Sequence, residues 1–154
     1  MRQLISLHVN GVSYELDVPP QRLLLDFLRD DLSLTGARRG CEDSICGACT
    51  VLLNGQAVHS CSILAVRAAG QQILTIEGLA ENGKIHPLQE AFIQHGAIQC
   101  GYCTPGMILA GKALLDENPH PMEQEVRSGL IGNLCRCTGY VKIVKAVLGA
   151  AERL

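Results

Sequence analysis

Eight cysteines fall into two groups of four: Cys41, Cys46, Cys49 and Cys61, then Cys100, Cys103, Cys135 and Cys137. The first group reads C-x4-C-x2-C, with its fourth cysteine after eleven intervening residues. That opening is the spacing of a plant-type [2Fe–2S] site. The second group pairs CGYC with CRC across a gap of 31 residues. A [2Fe–2S] centre moves one electron at a time and by itself does no bond chemistry on a substrate. Two such groups therefore point to a conductor of electrons.

The loop from Gly40 to Cys49 supplies three thiols and otherwise includes Gly40, Ser44, Gly47 and Ala48. A loop that wraps an inorganic core must bring backbone N–H groups toward sulfur, which calls for small residues and unusual φ values. Cys61 is expected on the far strand of a second hairpin. Zinc sites usually present paired C-x2-C knuckles, so the first group reads as iron–sulfur. The second group is open on spacing alone, because CxxC with CxC also describes a zinc site of four thiolates. Thr104-Pro105 and Thr138-Gly139 follow its two pairs and read as helix N-caps. A helix N-terminus favours negative charge by about 0.3–1 kcal/mol, which suits either anionic centre.

Little else in the chain nominates chemistry. His8, His59, His86, His95 and His120 are scattered, with no two at metal-ligand spacing, and read as surface or structural residues. Glu42 and Asp43 read as solvent-facing, and Arg38, Arg39 and Arg136 as solvated or charge-balancing. Gly111 reads as a site of close helix packing. No GxGxxG or P-loop is present, and no Ser–His–Asp or Cys–His set is suggested by spacing.

The elements that must position the thiols divide the chain into two halves of different character. Ile5, Leu7 and Val9 alternate with polar residues, Asn10-Gly11 signals a hairpin turn, and Val12, Tyr14, Leu16 and Val18 continue at period two. Arg22 to Leu32 places Leu23, Leu24, Phe27 and Leu28 at helical spacing. TVLL, Asn54-Gly55 and QAVHS predict a second hairpin, and Gln72 to Glu77 a last strand. Beyond GLAENGK the pattern turns helical over Pro87–Gln94, Pro105–Asn118, Met122–Leu130 and Tyr140–Arg153. The expected class is α+β: an N-terminal β-grasp, ferredoxin-like domain over residues 1–77, a linker over 78–84, and an all-α helical [2Fe–2S]-binding domain over 85–154.

Composition agrees with a folded chain: 47% of residues are hydrophobic and 18% charged. Only five residues are aromatic, and Trp is absent. Two small aliphatic cores are therefore expected, with metal sites acting as staples. The formal charge of −2 becomes about −6 once two oxidised centres are added, and no basic run exists. Neither nucleic acid nor an anionic membrane is thus expected as a partner. No signal-peptide pattern or spanning apolar run occurs, so the expected location is cytoplasmic, where thiols stay reduced.

With both groups placed, the sequence resembles the small iron–sulfur subunits of the molybdenum hydroxylases, the xanthine dehydrogenase, aldehyde oxidoreductase and carbon monoxide dehydrogenase group. TGARRGCEDSICGACTVLLNG and SCSIL are similar to the ferredoxin-type domain, and QCGYCTPGMI and GNLCRCTGY to the helical one. The CTPG and CRCTGY forms look closer to those groups than to the nicotinate and isoquinoline type, which often has CRCGTH. The resemblance implies one [2Fe–2S] cluster per group, with the helical one nearest the molybdenum cofactor. It also implies that Gln99 and Cys137 approach the molybdopterin. No catalytic residue is expected in this chain. Because the chain ends soon after the helical half, molybdopterin and FAD are expected in a large and a medium partner subunit.

The implied role is to pass single electrons from molybdopterin through both clusters to FAD or another acceptor during oxidative hydroxylation. Purines, N-heteroaromatics, aldehydes and CO all fit as substrate classes, because the substrate pocket would lie in another chain. Two alternatives share the same parts: a free-standing two-cluster shuttle, and a subunit of a reductive hydroxybenzoyl-CoA-type enzyme.

Overall fold

The structure is a computed structural model that describes all residues, Met1 to Leu154. Strand β1 (Gln3–Val9) turns through Asn10 and Gly11, both at positive φ, into β2 (Val12–Val18). The register pairs Val9 with Val12, Leu7 with Tyr14 and Ile5 with Leu16, as the alternation requires. Asn54 and Gly55 do the same between β3 (Thr50–Leu53) and β4 (Gln56–His59). Strand β5 (Gln72–Leu74) lies between the hairpins, parallel to β1 and antiparallel to β3. The sheet order is β2-β1-β5-β3-β4.

Helix α1 (Leu24–Asp26) widens into a π-turn over Phe27–Asp31, so the helix is shorter and looser than its apolar spacing predicts. Leu23 instead bridges to Leu64 in extended conformation. Leu24, Leu25, Phe27 and Leu28 are buried against one face of the sheet with Leu7, Val9 and Val51. Each such side chain contributes about 1.5–3 kcal/mol through burial. The last strand also stops early. Thr75 is buried and its hydroxyl donates to Glu77 at 2.6 Å while accepting from Asn10 at 2.9 Å. Residues Ile76–Gly78 therefore form a 3-10 turn rather than more strand.

Four helices follow: α2 (Pro87–Gln94), α3 (Thr104–Glu117), α4 (Glu123–Gly129) and α5 (Val141–Ala151). They enclose a second core of Leu88, Phe92, Met107, Leu109, Ile143 and Val147 among others. Strand β3 belongs to both cores: Val51 faces the α1 side, whereas Leu52 is buried among the helices. Period-two geometry makes one strand the shared wall, and the two cores lie on opposite faces of it. Leu79, directly after the 3-10 turn, is also buried in the helical core. Gly111 of α3 admits Val147 of α5, where a Cβ would stand 3.2 Å from the valine methyl.

Candidate metal centres

The structure brings each cysteine group together. In the first, residues 40–49 form an irregular loop with Glu42, Ser44 and Gly47 at positive φ. This conformation turns backbone donors inward: the N–H groups of Asp43, Ile45 and Cys46 all donate to Cys41 Sγ at 3.3–3.4 Å. Gly40 leaves the space beside Cys46 Sγ, where a Cβ would stand 2.6 Å from the sulfur. Cys49 and Cys61 are buried. Cys61 sits in a 3-10 turn, Ser60–Ser62, rather than on the strand itself, because β4 ends at His59. Ser60 Oγ, fully buried, donates to the Cys49 carbonyl at 2.7 Å and fixes this turn.

The second group is arranged differently from the expected double cap. Cys103, not Thr104, is the N-cap of α3, so the thiol-bearing residue itself opens the helix. Thr138 does not cap α5. Its hydroxyl donates to Cys135 Sγ at 3.0 Å, its N–H reaches the same sulfur at 3.4 Å, and Tyr140 in left-handed conformation is the N-cap. The Tyr140 hydroxyl accepts from the Cys135 N–H at 2.9 Å. Tyr102 N–H donates to Cys100 Sγ at 3.5 Å. Cys100 and Cys137 are exposed, as is Gln99 beside them.

Within each group the thiols lie near enough to influence one another's acidity: Cys41 with Cys46, Cys49 with Cys61, Cys100 with Cys137, and Cys103 with Cys135. No three His, Cys, Asp or Glu side chains converge on one ion position. A dinuclear cluster divides its four thiolates two to each iron, and the pairs present that division twice. The residues therefore fit two [2Fe–2S] centres, which when bound supply reversible one-electron chemistry.

The electrostatics follow from the local donors. The N–H groups of Cys46, Asp43 and Ile45 pull the Cys41 thiol down to about 7. Tyr102 N–H lowers Cys100 in the same way. Burial pushes Cys49 up to about 11, and burial with the neighbouring Cys135 thiol pushes Cys103 up to about 12. At Cys135 burial works upward, but the Thr138 hydroxyl and N–H outweigh it and the thiol is lowered. Contact with Cys100 raises Cys137. Each group thus combines thiols made more acidic by donated hydrogen bonds with thiols made less acidic by burial, whose protons a bound metal would displace.

The two groups face one another. A cavity of about 360 Å³ is lined by Cys41 and Cys46 from one side and by Cys100, Cys103, Cys135 and Cys137 from the other. Across the seam, Leu134 N–H donates to the Cys46 carbonyl at 2.8 Å. The larger cavity of about 1020 Å³, near Asn10, Glu77 and Lys112, contains no cysteine. Among the flanking residues, Arg39 pairs with Asp26 at 2.7 Å and Glu42 at 3.5 Å, whereas Arg38 lies over the Tyr102 ring at 5.2 Å. His86 caps α2 through its ring nitrogen, which accepts from Leu88 N–H, and His59 bonds Ser44. Asn133, Tyr102 and Tyr140 were not singled out by spacing. In a chain with five aromatics, Tyr102 next to Cys103 and Tyr140 three residues after Cys137 are the available signal.

A ferredoxin-like sheet and a helical domain, each holding four paired thiols, define a two-centre iron–sulfur protein. Residues 7–82 match the 2Fe-2S iron-sulfur cluster binding domain family, and residues 75–148 the [2Fe-2S] binding domain family. The nicotinate dehydrogenase small FeS subunit of Eubacterium barkeri is 52% identical over 97% of this chain and 95% of its own. The aldehyde oxidoreductase of Megalodesulfovibrio gigas is 47% identical over 93% of this chain, which matches 16% of that longer protein. The structure of quinoline 2-oxidoreductase from Pseudomonas putida 86 superposes with a TM-score of 0.95 at 44% identity, covering 98% of this chain and 94% of that one. The chain belongs to the family of small iron–sulfur subunits of the molybdenum hydroxylases.

It is an electron-transfer subunit of a heteromeric oxidoreductase of that family. The leaning of the CTPG and CRCTGY forms away from nicotinate-type enzymes is corrected by the 52% identity to a nicotinate dehydrogenase subunit. No helix is long and apolar enough to cross a membrane.

Proposed function

We propose that Cys41, Cys46, Cys49 and Cys61 hold one [2Fe–2S] cluster and Cys100, Cys103, Cys135 and Cys137 the other. Electrons enter at the helical site and leave from the ferredoxin-type site. The observation that carries this reading is the gathering of each four-cysteine group at one place, with Cys41 and Cys46 of the first group and all four thiols of the second lining one shared cavity. The domains are residues 1–77 and 85–154, joined by 78–84. A large molybdopterin-binding subunit covers the helical site, where Gln99 and Cys137 reach the pterin. A medium FAD-binding subunit, or another acceptor, takes electrons from the loop around Cys41. The exposure of Cys100 and Cys137 supports a covering partner over a free-standing shuttle, because an exposed centre loses electrons to any oxidant.

The assembly is cytoplasmic, and its reaction runs in the oxidative direction on an N-heteroaromatic compound. Support for the substrate class comes from relatives whose names specify nicotinate, nicotine and caffeine. Selectivity itself lies in the large partner. The deciding experiment is anaerobic purification with metal and sulfide analysis. About four iron and four sulfide per chain, together with a molybdenum-containing partner, are expected. Stoichiometric zinc, or a stable iron-loaded monomer serving unrelated enzymes, would refute the reading.

A further inference from the structure

We infer that Asn133 is a positioning residue for electron passage between the two thiol groups. It sits two residues before Cys135, yet its side chain bonds only to the other half of the molecule. It is buried, and its amide nitrogen donates to the Gly47 carbonyl at 3.0 Å and to Thr50 Oγ1 at 3.0 Å. Thr50, also buried, donates in turn to the Gly47 carbonyl at 2.7 Å. Burying an amide is costly unless it is hydrogen-bonded, and satisfied networks of this kind specify one arrangement where apolar contact would tolerate several. The apolar core that β3 shares with the helices joins the two halves, and this network adds a directional constraint at the seam between the thiol groups.

What this network fixes is the seam between the sites. Gly47 follows Cys46, and Leu134 separates Asn133 from Cys135. With Gly47 and Asn133 held together, the next pair along is Cys46 carbonyl and Leu134 N–H, 2.8 Å apart. Glycines permit the approach: a Cβ on Gly47 would collide with the Gly132 carbonyl, and one on Gly106 with the Gly47 carbonyl. The route from one thiol group to the other is then one residue, one hydrogen bond and one peptide link. A single electron crosses it from the helical site, which is oxidised, to the ferredoxin-type site, which is reduced. No bond breaks and no proton moves. Electronic coupling falls steeply when a hydrogen bond in such a route opens into a through-space gap.

The inference rests on both groups being iron–sulfur sites, so its test includes a control for that. In the assembled holoenzyme, Asn133→Ala and, separately, Thr50→Val are compared with wild type by iron content, EPR and rapid freeze-quench reduction. The expected result is full iron and unchanged individual signals. The magnetic splitting between the two reduced centres should weaken, and reduction of the second centre should slow several-fold. Unchanged splitting and rate in both variants overturn the inference. Loss of iron in both also overturns it, because the role of Asn133 is then structural only. A wild-type spectrum lacking two [2Fe–2S] signals brings down the functional reading as well, and the control tells that failure apart.

Discussion

The Tyr102 hydroxyl donates to the Arg39 carbonyl at 2.5 Å, joining residues 63 positions apart and two neighbourhoods of cysteine. Arg39 lies two residues before Cys41, and Tyr102 lies between Cys100 and Cys103. The same arginine grips Asp26 through its side chain, so the first cysteine loop is held to α1 and to the helical half at one residue. Arg38 lies over the Tyr102 ring, and Tyr102 itself lines the shared cavity.

Tyr102→Phe keeps the ring and its stacking and removes only the hydroxyl. The expected cost is about 1 kcal/mol, the net worth of one hydrogen bond, with both clusters retained. Urea unfolding with parallel iron analysis measures it. A loss of iron without a change in unfolding midpoint would contradict this role.

Gly106→Ala separates helix propensity from packing. Gly106 is in α3, where alanine is favoured over glycine by up to about 1 kcal/mol. A Cβ at this position collides with the Gly47 carbonyl, a backbone atom held by Thr50 and Asn133. The variant should therefore be less stable by about 1–3 kcal/mol. A raised unfolding midpoint would show that the seam yields.

Much of this was legible because it is local. Hairpin turns at Asn10-Gly11 and Asn54-Gly55 follow from the φ values those residues accept, and the four C-terminal helices from period and proline. The first cysteine group reads from spacing because three of its thiols share one short loop, whereas the second, split across 31 residues, stays open between iron–sulfur and zinc on spacing alone. Contacts set by tertiary approach were not. Nothing in GNLCRC says that Asn133 bonds residues more than 80 positions earlier. Thr138 reads as a cap because threonine satisfies backbone donors in general, whereas here a thiol competes for its hydroxyl. The dual role of β3 was hidden because alternation reveals two faces without saying that both are buried.

His86 makes the second half sensitive to acid. Burial lowers its pKa from the usual 6.5, Lys112 adds to this, and Asp116 and Glu81 oppose it. Its neutral Nδ1 accepts from Leu88 N–H at 3.2 Å, and a protonated ring cannot. The unfolded chain takes up the proton first, so this stability is present above about pH 6.5 and is lost as pH falls toward the folded-state value. His86→Asn keeps an N-cap acceptor and should flatten that fall, as read from thermal unfolding between about pH 5 and 7. An unaltered pH profile would assign the sensitivity elsewhere.

Gln99→Ala addresses the partner side. Gln99 is exposed beside Cys100, outside both cores. The assembled enzyme should lose molybdenum occupancy while both EPR signals keep their shape. Full molybdenum content with full turnover would remove Gln99 from the pterin contact.

Cys137→Ser tests whether the two groups are independent. Cys137 is exposed and pairs with Cys100, whereas the thiols of the first group pair among themselves. Serine keeps the size of the side chain but replaces a soft thiolate with a poor ligand for iron. The helical signal should therefore be lost or altered, and iron should fall toward about two per chain. The ferredoxin-type signal should persist, because the Cys41 donors and the buried Cys49–Cys61 pair do not depend on residue 137. Reduction of that surviving centre by the partner should slow sharply, since the relay has lost its entry point. Equal loss of both signals would mean that the shared seam, not the separate thiol sets, governs assembly of the centres.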